Sequence, residues 1–216
     1  MKLLLPILPT EELREADLTL MRKYCSEEVR MQGFHLKNVV CEEEEFSHMI
    51  FSGVRFENCR FWKCSFHAAE FSNVEFVNCD ISGCDFSNCY INRFAFLSGK
   101  GAGVKFCSSV MKNLLIKEST MNYSNFDSAR LENVQFLQTS FDSGNMTQCQ
   151  CKHVSWKEDS LVNVSFFKTS LRGMDFSDSI LRELVLSDDH HELQGAIVDL
   201  YQAADLARRL GLLIKD

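Results

Sequence analysis

Residues 46–76 read FSHMIFSGVRFENCRFWKCSFHAAEFSNVEF, placing Phe46, Phe51, Phe56, Phe61, Phe66, Phe71 and Phe76 at every fifth position without a slip. An α-helix returns a side chain to the same face after about 3.6 residues and a strand after two, so neither explains this interval. A sustained five-residue period marks a tandem repeat, and a repeat decides the architecture before any local propensity does.

The frame reaches well beyond this stretch. From Met31 to Leu186 every position ending in 1 or 6 belongs to it, 32 in all, and only Gly101 lacks an apolar side chain there. Fifteen of the 18 phenylalanines fall in the frame. Two residues before each centre the side chain tends to be small, as at Val54, Cys59, Cys64, Ala69, Cys79, Cys84, Cys89, Ser109, Ser119, Ala129 and Cys149. On an extended chain, residues two apart point the same way, so both positions face inward. Two residues after the centre Asn recurs, at Asn38, Asn58, Asn73, Asn78, Asn88, Asn113, Asn133 and Asn163. Asn tolerates the positive φ of a tight corner. Extended residues and a corner, repeated, wind the chain into a coil with large and small side chains alternating inside it.

At this point the sequence resembles the pentapeptide-repeat proteins, whose unit reads roughly Ala-Asp/Asn-Leu/Phe-x-x. Cys84-Asp85-Phe86-Ser87-Asn88, Ser124-Asn125-Phe126-Asp127-Ser128 and Met174-Asp175-Phe176-Ser177-Asp178 are good local matches. The resemblance implies an all-β fold, a right-handed quadrilateral β-helix with four repeats per turn and about eight coils over residues 29–188. At the usual strand spacing such a rod is about 38 Å long.

Both ends read differently. Thr10 followed by Glu11 and Glu12 suggests a helix start. Ala16-Asp17-Leu18-Thr19-Leu20 looks like one isolated, out-of-phase repeat. Residues 1–28 are therefore expected to form an N-terminal cap, because a solenoid otherwise exposes an apolar end. At the other end, Asp199 and Gln202 have capping-box spacing. Leu200, Ala203, Ala204, Ala207 and Leu210 follow on one helical face, with Gly211 as a stop and an apolar tail through Leu213. This predicts a C-terminal helix within 189–216 that either covers the last coil or forms a dimer interface through Leu200, Ala203, Ala204, Ala207, Leu210 and Leu213.

Leu193-Gln194-Gly195, Tyr201-Gln202-Ala203-Ala204 and Arg209-Leu210-Gly211, with Thr169-Ser170-Leu171-Arg172-Gly173 upstream, are similar to the quinolone-resistance (Qnr) proteins, particularly their Gram-positive forms. That likeness implies a homodimer joined through the C-terminal helices that binds DNA gyrase and/or topoisomerase IV by imitating duplex DNA and relieves fluoroquinolone poisoning. A cytoplasmic location is expected from the start of the chain, whose short apolar run is broken by Pro6 and Pro9 and followed by Glu11 and Glu12. One departure matters. Many Qnr proteins have loops that interrupt the repeat, whereas this register runs unbroken; loopless relatives include gyrase inhibitors.

Composition sets the remaining expectations. The net charge of −7 argues against direct binding to nucleic acid or to an anionic membrane. No run approaches the roughly 20 apolar residues of a membrane span. The chain has no nucleophile elbow, phosphate loop, paired-carboxylate site or metal-ligand spacing, so neither an enzyme nor a cofactor is expected. Most of the 10 cysteines occupy inward positions and read as core packing, with a metal or redox role as the alternative. Sorted into four faces, the one through Met31, Phe51 and Phe71 is basic at +4, and those through Leu36, Cys41 and Phe46 are acidic at −2, −2 and −3. A topoisomerase-binding side is accordingly placed on the Cys41 and Phe46 faces, at Glu42, Glu43, Glu45, Asp80, Asp85, Asp127 and Asp142. An interaction scaffold for some other partner is the competing reading. Glu44 and Asp159 stand out as carboxylates in inward slots, and Gly99, Gly101 and Gly103 strip one repeat of its side chains. Phe94 is expected to fill part of that vacancy.

Overall fold

A computed structural model describes residues 2–9, 13–209 and 211–215. They form a parallel β-solenoid of about eight coils with two helices, one of them C-terminal. Met31 pairs with Phe51, Phe51 with Phe71, Phe71 with Ile91, and the same 20-residue step continues through Leu131 with Cys151. Four pentapeptides thus make one coil, and the first coil spans residues 29–48.

The corners lie where the asparagines predict them. From Gly33 to Gly173 the residue two after each centre has positive φ, with Asn38, Asn58, Asn73, Asn78, Asn88, Asn113, Asn133 and Asn163 among them. Less suitable residues such as Lys63, Arg93 and Gln138 adopt the same conformation. The left-handed region disfavours such side chains; the inter-coil ladder outweighs that penalty. The corner asparagines also bond along the rod, Asn78 Nδ2 donating to Asn58 Oδ1 at 2.7 Å.

The faces are not equivalent. Those centred on Met31 and Leu36 merge into eight-residue strands, Ile50–Glu57, Glu70–Val77, Tyr90–Leu97, Val110–Lys117, Arg130–Leu137 and Gln150–Lys157. The Cys41 and Phe46 faces are built mainly from isolated bridges and tight turns. Inside, every central residue is buried except Cys151 and Leu186. Rings stack from coil to coil: Phe56 on Phe76 at 4.4 Å, Phe66 on Phe86 at 4.7 Å and Phe136 on Trp156 at 4.2 Å.

The glycine-rich repeat is a packing exchange. A Cβ on Gly99 would stand 2.3 Å from Cζ of Phe96, and one on Gly101 would stand 2.7 Å from the Met121 sulfur. The vacancy is therefore filled by Phe96 and Met121. Phe94, expected there, instead packs against Phe71 and Phe76. Gly99 also lies against a backbone carbonyl, 2.8 Å from where its Cβ would sit to Cys79 O. Gly99→Ala should therefore cost about 1–3 kcal/mol in urea unfolding, the range for overpacking; an unchanged midpoint would refute the exchange.

At the N-terminus, Ala16–Leu20 is not a repeat. Asp17 is the N-cap of a helix, α1 (Leu18–Ser26), its carboxylate accepting from Leu20 N–H at 2.8 Å. A capping aspartate draws the following turn into helical geometry, which overrides the local resemblance to a pentapeptide. Just before it, Arg14–Ala16 pairs with Phe34–Leu36 and covers the first exposed edge. The helix start suggested at Thr10–Glu12 lies outside the described residues. Residues 4–9 run back along a corner column. Leu4 and Ile7 N–H donate to Asn113 and Asn73 Oδ1 at 3.4 and 3.1 Å, and Pro9 lies over Gly53.

Candidate protein-binding surfaces

The inward polar slots come first, because they separate structural groups from those free to meet a partner. Glu44 is only part-buried and pairs with Arg22 of α1, so the carboxylate anchors that helix to the first coil. Asp159 is buried; its two oxygens accept from Thr139 and Lys157 N–H, each at 2.8 Å. Burial outweighs those two bonds and pushes its carboxyl up to about 6. All ten cysteines are free thiols, and seven of them are buried. Burial pushes the thiols of Cys89 and Cys151 up to about 12, which keeps them protonated and unreactive as ligands at neutral pH. The seven buried thiols sit at inward positions of the coils and pack there as small side chains.

The seven acidic residues singled out above divide by environment. Glu42, Glu43 and Glu45 are exposed in the first coil, with Glu43 paired to Lys63 at 3.3 Å. Asp80, Asp85, Asp127 and Asp142 are half-buried and occupied locally. Asp80 and Asp85 accept from Ser82 and Ser87 N–H at 3.0 and 2.8 Å. Asp127 accepts from the Ser128 hydroxyl at 3.1 Å, and Asp142 from Val162 N–H at 3.1 Å and the Ser160 hydroxyl at 2.6 Å. Basic residues interrupt the columns: Asp80 lies between Arg60 and Lys100, and Asp85 is followed by Lys105. Three glutamates are thus brought together at one end, and the aspartates are spread singly along the rod.

At the C-terminus, η1 (His191–Leu193) precedes α2 (Leu200–Arg209). The expected capping box is present: Gln202 N–H donates to Asp199 Oδ1 at 2.8 Å, and Asp199 N–H to Gln202 Oε1 at 3.0 Å. Gln202 is also buried, and its Nε2 donates to the carbonyls of Phe176 (2.9 Å) and Ser179 (2.6 Å). Arg209 reaches Leu184 O on the same side of the helix. The small apolar residues are on the other side: Leu200 is 81% exposed, Ala203 is exposed, and Ala204 and Ala207 are half-covered. Leu213 is 98% exposed. Leu210 lies outside the described residues. The helix covers the last coil with its polar edge and turns its apolar stripe to solvent.

One buried carboxylate had no signal in the repeat pattern. Glu192 is fully buried and accepts from Lys168 N–H, Ser187 N–H and the Ser187 hydroxyl at 2.8, 3.1 and 2.8 Å. Burial alone would raise this carboxyl, but those donors hold it below the usual range. Asp189 and His191 lie beside it, yet its oxygens are already used to close the last coil. No described helix is long and apolar enough to cross a membrane.

Comparison with known proteins agrees with this architecture. Residues 49–126 match the family model of the pentapeptide repeat region. Over those residues the chain is similar to that repeat region, and they lie within a parallel β-solenoid of about eight coils. No curated protein matches the sequence. Among solved structures, a trypsin-treated variant of QnrB1, a plasmid-mediated fluoroquinolone resistance protein, superposes with a TM-score of 0.55 at 22% identity, covering 83% of this chain and 99% of that one. A second trypsin-treated QnrB1 variant gives 0.52 at 22% identity, covering 84% and 99%. At this identity the likeness defines a shared fold.

Proposed function

We propose that this protein is a non-enzymatic, cytoplasmic binder of a type II topoisomerase, DNA gyrase and/or topoisomerase IV, and that it protects the enzyme from fluoroquinolones. In this reading residues 1–28 cap the rod, 29–188 form the recognition body and 189–216 dimerise it. The observation behind the reading is α2. Its sequence has the Qnr-like ending, and its apolar stripe faces away from the solenoid that it caps. A two-fold partner can cover that stripe and double the length of rod presented to an elongated target. The acidic side supplies contacts mainly at Glu42, Glu43 and Glu45, with Asp80, Asp85, Asp127 and Asp142 contributing the edges that their local bonds leave exposed. DNA mimicry here rests on shape as much as on charge, because duplex DNA has one negative charge per roughly 1.7 Å of axis and these columns are far sparser.

Two measurements test the proposal. Supercoiling by gyrase and decatenation by topoisomerase IV, titrated with ciprofloxacin, should resist the drug when the protein is added at stoichiometric excess. Absence of rescue over a concentration series would overturn the protection, and absence of both rescue and inhibition would defeat the binding as well. In sedimentation, the wild-type chain should run at twice the mass of one chain and Leu200→Glu with Leu213→Glu at the single mass. An unchanged mass would remove the dimer.

A further inference from the structure

The ladder that joins each coil to the next is interrupted between the seventh coil and the eighth. Elsewhere the amide of a central residue donates to the residue 19 positions on, as Phe61 does to Asp80 and Phe141 to Ser160, both at 2.8 Å. Cys151 and Trp156 find no such acceptor among the described residues, although the eighth coil itself bonds onward in the usual direction, Leu171 N–H to Glu192 O and Phe176 N–H to Ile197 O, both at 2.9 Å. Both ends of the gap stay closed, with Cys149 N–H on Thr169 Oγ1 and Ile180 N–H on Asp159 O, both at 2.8 Å. The result is a mouth across the Met31 and Leu36 faces.

Independent features fall on this seam. The Trp156 and Phe176 rings stand 6.2 Å apart, against 4.2 Å for Phe136 and Trp156 one coil earlier. Trp156 Nε1 is buried without a hydrogen-bond partner. Cys151 is one of two central residues that are only half-buried. A groove of about 650 Å³ opens above it on the basic face, rimmed by Lys112, Arg130, Lys152 and Arg172. Glu132 is the acidic side chain in that rim, held by Lys152 at 3.0 Å and Lys112 at 3.8 Å. Arg130 and Arg172 have no ion pair among the described residues.

An unpaired strand edge is a template for another strand, and side-chain pockets beside it select the sequence. We propose that the seam is a docking site for an extended acidic peptide segment of a partner protein. Its backbone pairs with the free edge of Gln150–Lys157, and its carboxylates meet Arg130, Lys152 and Arg172. An apolar side chain rests on Cys151, the half-buried centre in the floor of the groove. A nucleic acid fits less well, because a phosphate backbone cannot pair with a strand edge. Asp175 and Asp178 line the far half of the seam and confine the peptide's carboxylates to the half at Arg130, Lys152 and Arg172.

Amide exchange and peptide binding on the full chain decide the matter. The amides of Cys151 and Trp156 should exchange at least tenfold faster than those of Leu131 and Phe136, and a Val-Glu-Val-Glu-Val-Glu peptide should slow them. By fluorescence anisotropy that peptide should bind at least tenfold tighter than its Val-Lys counterpart. Arg130→Glu with Arg172→Glu, shown folded by circular dichroism, should weaken it tenfold, and a form N-methylated at alternate amides should not bind. Equal exchange in the two coils, absence of binding, undiminished binding of the N-methylated peptide, or full displacement by citrate or an oligonucleotide would each overturn the proposal.

Discussion

Phe76→Ala is expected to destabilise the protein by about 3–5 kcal/mol, the range for truncating a buried aromatic to alanine. Phe76 is fully buried and stacks on Phe56 at 4.4 Å. Phe94 lies 5.4 Å away, and the rings of Phe61, Phe71, Phe86 and Phe96 surround it at 6.3–6.5 Å. These neighbours are fixed by ladder bonds above and below, so the wall cannot collapse to fill the space. Phe167→Ala is the control: that ring is outside the five-residue frame and half-covered, and should cost under about 1 kcal/mol. Urea unfolding of both variants measures the contrast. Similar losses would mean that the stacked column is not what holds the coils together.

That contrast also shows what repetition makes legible. The central frame, the small inward slots and the corner asparagines were readable because each position is sampled in coil after coil under one geometric demand. The capping box was readable because Asp199 and Gln202 satisfy each other locally. Interactions that occur once left no such trace. Asp17 sits in a passable pentapeptide, and its role as an N-cap emerges only when its side chain bonds Leu20 N–H. Glu44 needed Arg22, 22 residues earlier and on a different element. The acidic side was the least readable part. Counting charge per face cannot tell an aspartate free to meet a partner from one spent on Ser82 or Ser87 N–H. The seam is silent for a related reason: the register of centres continues across it, and only the hydrogen bonds depart.

Asp159 supplies the second large effect, a pH dependence of stability with a defined sign. It occupies the small inward slot filled by Ser119, Thr139 and Ser179 in neighbouring coils, and burial pushes its carboxyl up to about 6, against about 3.9 for an unfolded aspartate. A carboxyl raised on folding favours the native state in its protonated form. Its contribution is therefore complete below about pH 4, shrinks as pH rises through about 6, and is gone above that. At 1.36 kcal/mol per pH unit, two units amount to about 3 kcal/mol. Asp159→Thr should remove this term and keep the packing. Thr139, in the equivalent slot, donates its hydroxyl to Leu137 O at 3.1 Å, and a hydroxyl in the next coil can still accept from Thr139 N–H. Urea unfolding from pH 4 to 8 should show the variant gaining on wild type by about 3 kcal/mol across the window, with the gain levelling off above about pH 7. Parallel profiles would show that the carboxylate is solvated in the folded protein, and a gain toward low pH would reverse the sign derived from its burial.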